Sequence, residues 1–376
     1  MEMSIMGQME LQQRVQRTKL CTGCGACVSL CPYMLFYHDQ TIVLHACDLK
    51  EGRCFAFCPR TPTDLESMRT RFFSDVDMTP EIGAVKEYLI ARATDRQVQK
   101  NAQHGGTVTA LMSLAIEEGI LDTAVLTEGV ERFLHQGVAV GDAAAIQDRG
   151  KSKFIAAGTI SAFNKASKST ARKIGVVTTP CQALALAKMR MKPLPETDNN
   201  IDKLKLVIGL FCGWTLSWEK FTALLQSRTN LKDVVGMDIP PGKHQIAIFT
   251  VDSSFGIPWD EIEPLIRDAC YYCIDTTAEF SDISVGSARL SEDWETARTW
   301  NQVIVRTKTG QDLIKLARDK GVLEFREVPA GILDDLKKAA RAKKKASLGK
   351  IMEKTGNADD LIYVDRQDSV IRQILD

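Results

Sequence analysis

Cys21-Thr22-Gly23-Cys24-Gly25-Ala26-Cys27-Val28-Ser29-Leu30-Cys31-Pro32 places four cysteines in the spacing C-x2-C-x2-C-x3-C-P. Thiolates at that spacing hold a [4Fe–4S] cubane: three wrap one corner of a cluster, and the fourth, followed by proline, leaves to ligate another. Gly23, Gly25 and Ala26 let the backbone approach the inorganic sulfurs. Glycine takes positive φ without a Cβ penalty, and backbone N–H groups in such a turn face the cluster's negative charge. The run marks an iron–sulfur protein.

Outward from it, the pattern repeats in altered form. An apolar segment, Tyr33 to Tyr37, and a short strand, Thr41 to Leu44, lead to Cys47, Cys54 and Cys58-Pro59. Cys54-x3-Cys58-Pro is the end of a second ferredoxin half, but no cysteine falls between Cys47 and Cys54. In a two-cluster ferredoxin the first three cysteines of one run pair with the last of the other. That gives Cys21, Cys24, Cys27 and Cys58 to one cluster and leaves Cys31, Cys47 and Cys54 one ligand short. Asp48, Glu51, His45 or a partner residue can fill the gap; otherwise the group holds a three-iron cluster or none. The module spans residues 19–63, behind an N-terminal arm, 1–18, that carries no chemistry.

The cysteines also bear on compartment. Eleven in a chain of 376 residues, spaced for metal ligation, call for a reducing cytoplasm. Net charge is zero, so no global field draws the chain to nucleic acid or a membrane. The longest apolar stretch, Leu204 to Trp218, is too short for a bilayer span and is interrupted by Gly209 and Gly213. Glu2, Glu10 and the run Gln12-Gln13-Arg14 exclude a signal peptide at the N-terminus.

Residues 64–99 turn to mixed charge and read as a linker, with a helix over Ile82 to Ala93. The larger domain, 100–328, opens at Gln103-His104-Gly105-Gly106-Thr107-Val108-Thr109, where a helix start with free N–H groups suits an anion. A second small, basic stretch, Gly150-Lys151-Ser152-Lys153, offers Ser152 and Lys153 to a pyrophosphate. Ile174 to Thr179 reads as strand and tight turn, and Cys181 follows at a helix N-terminus, where thiolate is favoured. Leu204 to Phe211 is a buried parallel-type strand ending at Cys212. Strands over Val234 to Ile239 and Gln245 to Val251 flank a Pro240-Pro241-Gly242 turn. Cys270-x2-Cys273 then completes a set of four cysteines with Cys181 and Cys212, enough for a [4Fe–4S] cluster or zinc. A strand over Gln302 to Arg306 and a helix over Gln311 to Lys320 follow. Residues 329–376 form a basic helical tail with Lys337, Lys338, Arg341, Lys343, Lys344 and Lys345, read as a solvated face or a dock for an acidic partner.

Taken in order, Gly105-Gly106-Thr107-Val108-Thr109-Ala110-Leu111, Thr179-Pro180-Cys181-Gln182, Gly209-Leu210-Phe211-Cys212, Cys270-x2-Cys273 with Asp275, and Asp282-Ile283-Ser284-Val285-Gly286-Ser287 resemble the coenzyme F420-reducing hydrogenase and dehydrogenase beta-subunit family over residues 18–325. The resemblance implies a small ferredoxin-like [4Fe–4S] domain followed by an α/β flavin-binding domain with a mixed sheet, an α+β and α/β fold. It implies that Cys181, Cys212, Cys270 and Cys273 hold a cluster beside FAD. It further implies that Gly105, Gly106, Thr107, Thr109, Ser152, Lys153, Thr178 and Thr179 line the flavin, with His104 a candidate contact. No G-x-G-x-x-G is present, so FAD would not sit on a Rossmann fingerprint.

Clusters pass one electron at a time, whereas F420 or NAD(P)H gives up hydride; a flavin connects the two. The expected protein is therefore an electron-transfer oxidoreductase subunit with FAD and two to three [4Fe–4S] clusters. Its expected partner is a formate dehydrogenase, hydrogenase or heterodisulfide-reductase-like protein. The rival readings are a flavin-free iron–sulfur adaptor of such a complex, a zinc-stabilised binding module and a stand-alone reductase of an organic substrate.

Overall fold

The apolar runs Ala124-Val125-Leu126, Ile174-Gly175-Val176 and Leu206-Val207-Ile208 are almost wholly shielded from solvent, as strands buried on both faces must be. They form the middle of an eight-stranded sheet. The computed structural model describes residues 5–130, 133–194, 199–240, 243–290 and 294–376. Within this sheet β1 is Glu87–Ala93, β2 Thr123–Gly129, β3 His135–Val140, β4 Ile174–Thr178, β5 Leu204–Leu210, β6 Ile283–Ser287, β7 Asn301–Val305 and β8 Leu323–Arg326. Their order is β8-β1-β7-β6-β5-β4-β2-β3. β2, β4, β5 and β6 run parallel, with Ile283 opposite Ile208 and Val176 opposite Val207. Antiparallel pairs extend the sheet on both sides. The fold is mixed α/β, as expected.

Helices cover both faces. On one, α1 (Thr107–Glu117) and Lys308–Asp319 bury Leu111, Leu114 and Leu313 against Ile208, Val285 and Val303. On the other lie α2 (Thr159–Ser167), α3 (Pro180–Arg190) and the long α4 (Ile332–Thr355). That second core is continuous from Phe57 through Phe163 and Leu186 to Leu348 and Ile371. It therefore includes the cysteine-rich N-terminal module and the end of the chain. Smaller elements are a hairpin, Met34–Tyr37 with Gln40–Val43, and a three-stranded antiparallel sheet, Val234–Asp238, Gln245–Thr250 and Ser254–Pro258. The expected Pro240-Pro241-Gly242 turn extends outside the described residues.

Two expectations need correction. The stretch 64–99 is no linker: Leu65–Phe73 is a helix, and β1 lies between two antiparallel neighbours inside the sheet. The helix expected over Ile82 to Ala93 is this strand, because Ile90, Ala91 and Ala93 meet apolar neighbours on both faces. Nor is the basic tail a solvated face throughout, although Lys338 and Lys345 are exposed. Lys344 of α4 is buried and ion-paired with Glu279, and Thr63 bridges Val364 near the chain's end.

The module is fastened to the sheet domain through polar contacts as well. Asn164 of α2 donates to the carbonyls of Ala26 and Val28 at 3.1 and 2.8 Å. Arg267 donates to those of Thr22 and Cys21 at 2.7 and 2.8 Å. Gly25, at φ +82°, approaches Gly158 so closely that a Cβ would lie 2.7 Å from its carbonyl oxygen. This glycine admits the neighbouring backbone in addition to shaping the cysteine turn.

Candidate functional site

The tight turns around Gly23 and Gly25, at φ +69° and +82°, fold the first cysteine run back on itself. Cys21, Cys24 and Cys27 thereby face Cys58, which the short helix Arg53–Ala56 delivers from the second group. These four thiols and Cys54 line a shared opening together with Leu11, Val15 and Thr41. The Cys21 sulfur lies 3.1 Å from Thr41 Oγ1, and the Arg60 amide donates to the Cys58 sulfur at 3.4 Å. Cys54 meets Cys31 and Cys47 on the far side. Asp48, Glu51 and His45, the residues considered for a fourth ligand there, are exposed.

The remaining four cysteines converge from three places. Cys181 begins α3 after β4, Cys212 follows β5, and Cys270 and Cys273 flank the turn after Asp268–Tyr271. Cys212 is close enough to Cys270, Cys181 and Cys273 that each resists its ionisation. Thr215 donates its amide to the Cys270 sulfur at 3.3 Å, and Thr179 Oγ1 lies 3.4 Å from the Cys181 sulfur. Cys181 also disfavours a charge on Cys24, so the two groups of four adjoin.

Burial dominates the electrostatics. It pushes Cys54 up to about 12 and Cys58 up to about 11, and raises Cys24, Cys27 and Cys212 still more firmly. Cys181 is raised too, where a thiolate was expected: desolvation and the nearby Cys273 outweigh the Thr179 hydrogen bond and the Arg60 charge. Cys273 alone is lowered, by Lys343 and Arg60 against the opposing effect of burial. Closely grouped thiols this reluctant to ionise become thiolates when a metal supplies the counter-charge. Among the described residues no three Cys, His, Asp or Glu side chains close around a single metal ion. Four grouped thiols are a donor set that fits a [4Fe–4S] cluster or zinc.

Sequence inspection missed the cations around these thiols. Arg60, 3% exposed, donates to the Ala269 carbonyl at 3.1 Å and stacks 4.6 Å from the Tyr363 ring. Lys188 sits behind Cys58, where its ammonium donates to the carbonyls of Cys58, Thr61 and Pro62 and to the hydroxyls of Thr61 and Thr63. Lys343 donates to the carbonyls of Cys212 and Asp275 at 2.8 and 2.9 Å. As letters in a sequence these are ordinary surface residues; only tertiary contact distinguishes them.

The residues expected at the flavin divide into two sets. Gly106 caps α1 at φ +76°, and a Cβ on Gly150 would meet Thr109 Oγ1 at 3.2 Å, so the 150–153 segment lies over the first turn of α1. Lys153 is half-buried beside His135, which burial and that lysine lower to about 4, while Ser152 is exposed. His104 lies between Asp238 and Arg298, and burial lowers its affinity for a proton. Gly105 packs against Asn301 and Thr299. By contrast the Thr107 hydroxyl donates to the Ala91 carbonyl and that of Thr178 to the Ile208 carbonyl, both inside the sheet. Thr179 caps α3 in a reciprocal box with Gln182. Gly106, Thr109 and Lys153 thus share a rim at the carboxyl edge of the parallel strands, where open α/β sheets bind ligands. The side chains of Thr107 and Thr178 serve the fold.

Known proteins show the same combination. Residues 171–330 match the family model for the C-terminal part of the coenzyme F420 hydrogenase/dehydrogenase beta chain; residues 88–164 match the model for its N-terminal part, and residues 15–35 a 4Fe-4S binding domain. The coenzyme F420 hydrogenase subunit beta of Methanothermobacter thermautotrophicus is 30% identical over 274 residues, 70% of this chain and 94% of that protein. The coenzyme F420-dependent sulfite reductase of Methanocaldococcus jannaschii is 26% identical over 323 residues, 82% of this chain and 46% of that protein. In the solved F420-reducing [NiFe] hydrogenase complex from Methanosarcina barkeri, one chain superposes with a TM-score of 0.67 at 27% identity, covering 74% of this chain and 94% of its own.

Proposed function

Because the chain belongs to the coenzyme F420 hydrogenase/dehydrogenase beta-subunit family, we propose that it is the flavin-bearing electron-transfer subunit of an F420-dependent oxidoreductase complex. The relatives named above carry F420 in their names and none carries a nicotinamide, which favours F420 over NAD(P)H as carrier. When bound, FAD supplies the exchange between hydride and single electrons. The chain's own residues hold and insulate. The amides of the α1 N-terminus and Lys153 offer positive charge to a pyrophosphate. Cys181, Cys212, Cys270 and Cys273 hold one cluster, Cys21, Cys24, Cys27 and Cys58 a second, and Cys31, Cys47 and Cys54 the start of a third.

The observation that carries this reading is the join between the two complete groups: Arg60, two residues after Cys58, donates to the carbonyl of Ala269, the neighbour of Cys270, at 3.1 Å. Electrons arriving at the first group have a neighbour to receive them. A hydrogenase, formate dehydrogenase or reductase partner would take them onward from the Cys31, Cys47 and Cys54 end, where Tyr33, Leu35, Leu44 and Leu49 are exposed.

The test is anaerobic purification with iron, sulfide and flavin measured on one sample. About eight irons with one FAD supports two cubanes, and about twelve supports three. Cys212→Ala should lose the iron of the flavin-side group and keep the electron paramagnetic resonance signal of the N-terminal module. Unchanged iron in that variant would sink the assignment. Iron without flavin, even after FAD is added, would favour the adaptor reading, which draws on the inward-turned hydroxyls of Thr107 and Thr178.

A further inference from the structure

We propose that Lys343, in a C-terminal segment beyond the family match, is a positioning residue that sets the reduction potential of the centre formed by Cys181, Cys212, Cys270 and Cys273. The match to the family's C-terminal model ends at residue 330, and α4 begins at Ile332. This helix lies along the segments that carry the thiols. Lys343 Nζ donates to the carbonyls of Cys212 and Asp275, and one turn later Ser347 Oγ donates to that of Cys273 at 2.9 Å. Farther on, the Tyr363 hydroxyl donates to the Tyr272 carbonyl at 2.9 Å and accepts from the Ile274 amide at 3.3 Å. The segment thus grips the residues between and beside the cysteines through both its helix and the turn that follows.

Its lysines are not equivalent. Lys344 is neutralised by Glu279, and Lys350 pairs with Glu353. Lys343 is bound by carbonyl oxygens, and no carboxylate pairs with it among the described residues. The nearby Asp275 carboxylate accepts the amides of Thr277 and Glu279, and its charge acts on Cys273 in the opposite sense. A half-buried ammonium is therefore held in a fixed place beside the thiols, with its charge left to act on them.

A four-thiolate [4Fe–4S] centre gains one electron and one negative charge on reduction. A fixed cation beside it stabilises the reduced form more than the oxidised form, and raises the potential. The inference rests on the ligand assignment of the preceding subsection. Anaerobic redox titration of the full chain, followed by electron paramagnetic resonance, tests it with Lys343→Gln, Lys343→Arg and Lys345→Gln, the last an exposed lysine on the same helix. Lys343→Gln should shift the one-electron equilibrium of this centre about tenfold toward the oxidised form, a midpoint about 59 mV more negative. Lys343→Arg should restore most of it, and Lys345→Gln should leave the midpoint in place. Intact iron content with an unmoved midpoint in Lys343→Gln overturns the inference alone. Loss of iron in that variant assigns the lysine to holding the Cys212 loop and overturns it as well. Absence of the centre from the wild-type protein overturns both this inference and the ligand assignment beneath it.

Discussion

His135, at the start of β3, is 7% exposed, and burial beside Lys153 lowers it from 6.5 to about 4. Between those two values the unfolded chain takes up a proton that the folded chain refuses. Stability therefore falls as pH drops from about 6.5 to about 4, and this residue accounts for about 3 kcal/mol of the loss. His135→Gln should flatten that limb; equal urea-midpoint losses between pH 7.5 and 4.5 in variant and wild type would remove the histidine from the account. At this scale the sequence was readable where a residue's role follows from spacing. Pairing Cys58 with Cys21, Cys24 and Cys27 needed only counting, and the structure brings these four together. Arg60, Lys188 and Lys343 could not be read that way. A buried cation beside a thiol is written with the same letter as a solvated one, and only its acceptors distinguish it.

Among the elements, β4 and β5 were legible because strands buried on both faces are written as apolar runs. β1 was not. Glu87-Tyr88-Leu89-Ile90-Ala91-Arg92-Ala93 mixes charge with alanine, and it becomes a strand because β7 and β8 pair with it from either side. Packing limits are strictest at β6. A Cβ at Gly286 would come within 2.1 Å of the Phe211 ring, which follows β5 and leads directly to Cys212. Gly286→Ala must displace that ring and should cost roughly 1–3 kcal/mol in thermal or chemical unfolding. A variant as stable as wild type would mean that Phe211 has room to move. α4 is the converse of β1: its helical form was read correctly from Lys and Ala, while its buried position depended on Glu279 and the cysteine carbonyls.

Across the whole molecule the N-terminal module, the sheet domain and the C-terminal segment share one core, from Phe57 to Ile371. Buried polar contacts reinforce it. Arg306 donates to the carbonyls of Ile82, Ala84 and Thr277, while Arg69 pairs with Asp368 at 2.7 Å. The linker reading failed here, because composition marks a boundary in sequence but not whether two pieces pack. A single cooperative transition is expected, with the iron–sulfur absorbance and the far-ultraviolet dichroism lost at the same temperature. Loss of the cluster signal well below loss of secondary structure would mean that the module opens independently. The bridge between Thr63 and Val364 also bears on the order of events at the ribosome. The first cysteines emerge early, whereas the residue that bridges Thr63, shortly after Cys58, emerges near the far end of the chain. Translating the intervening stretch takes on the order of tens of seconds. For that interval the module stands without its partner at Val364, and arrival of the last segment completes its docking.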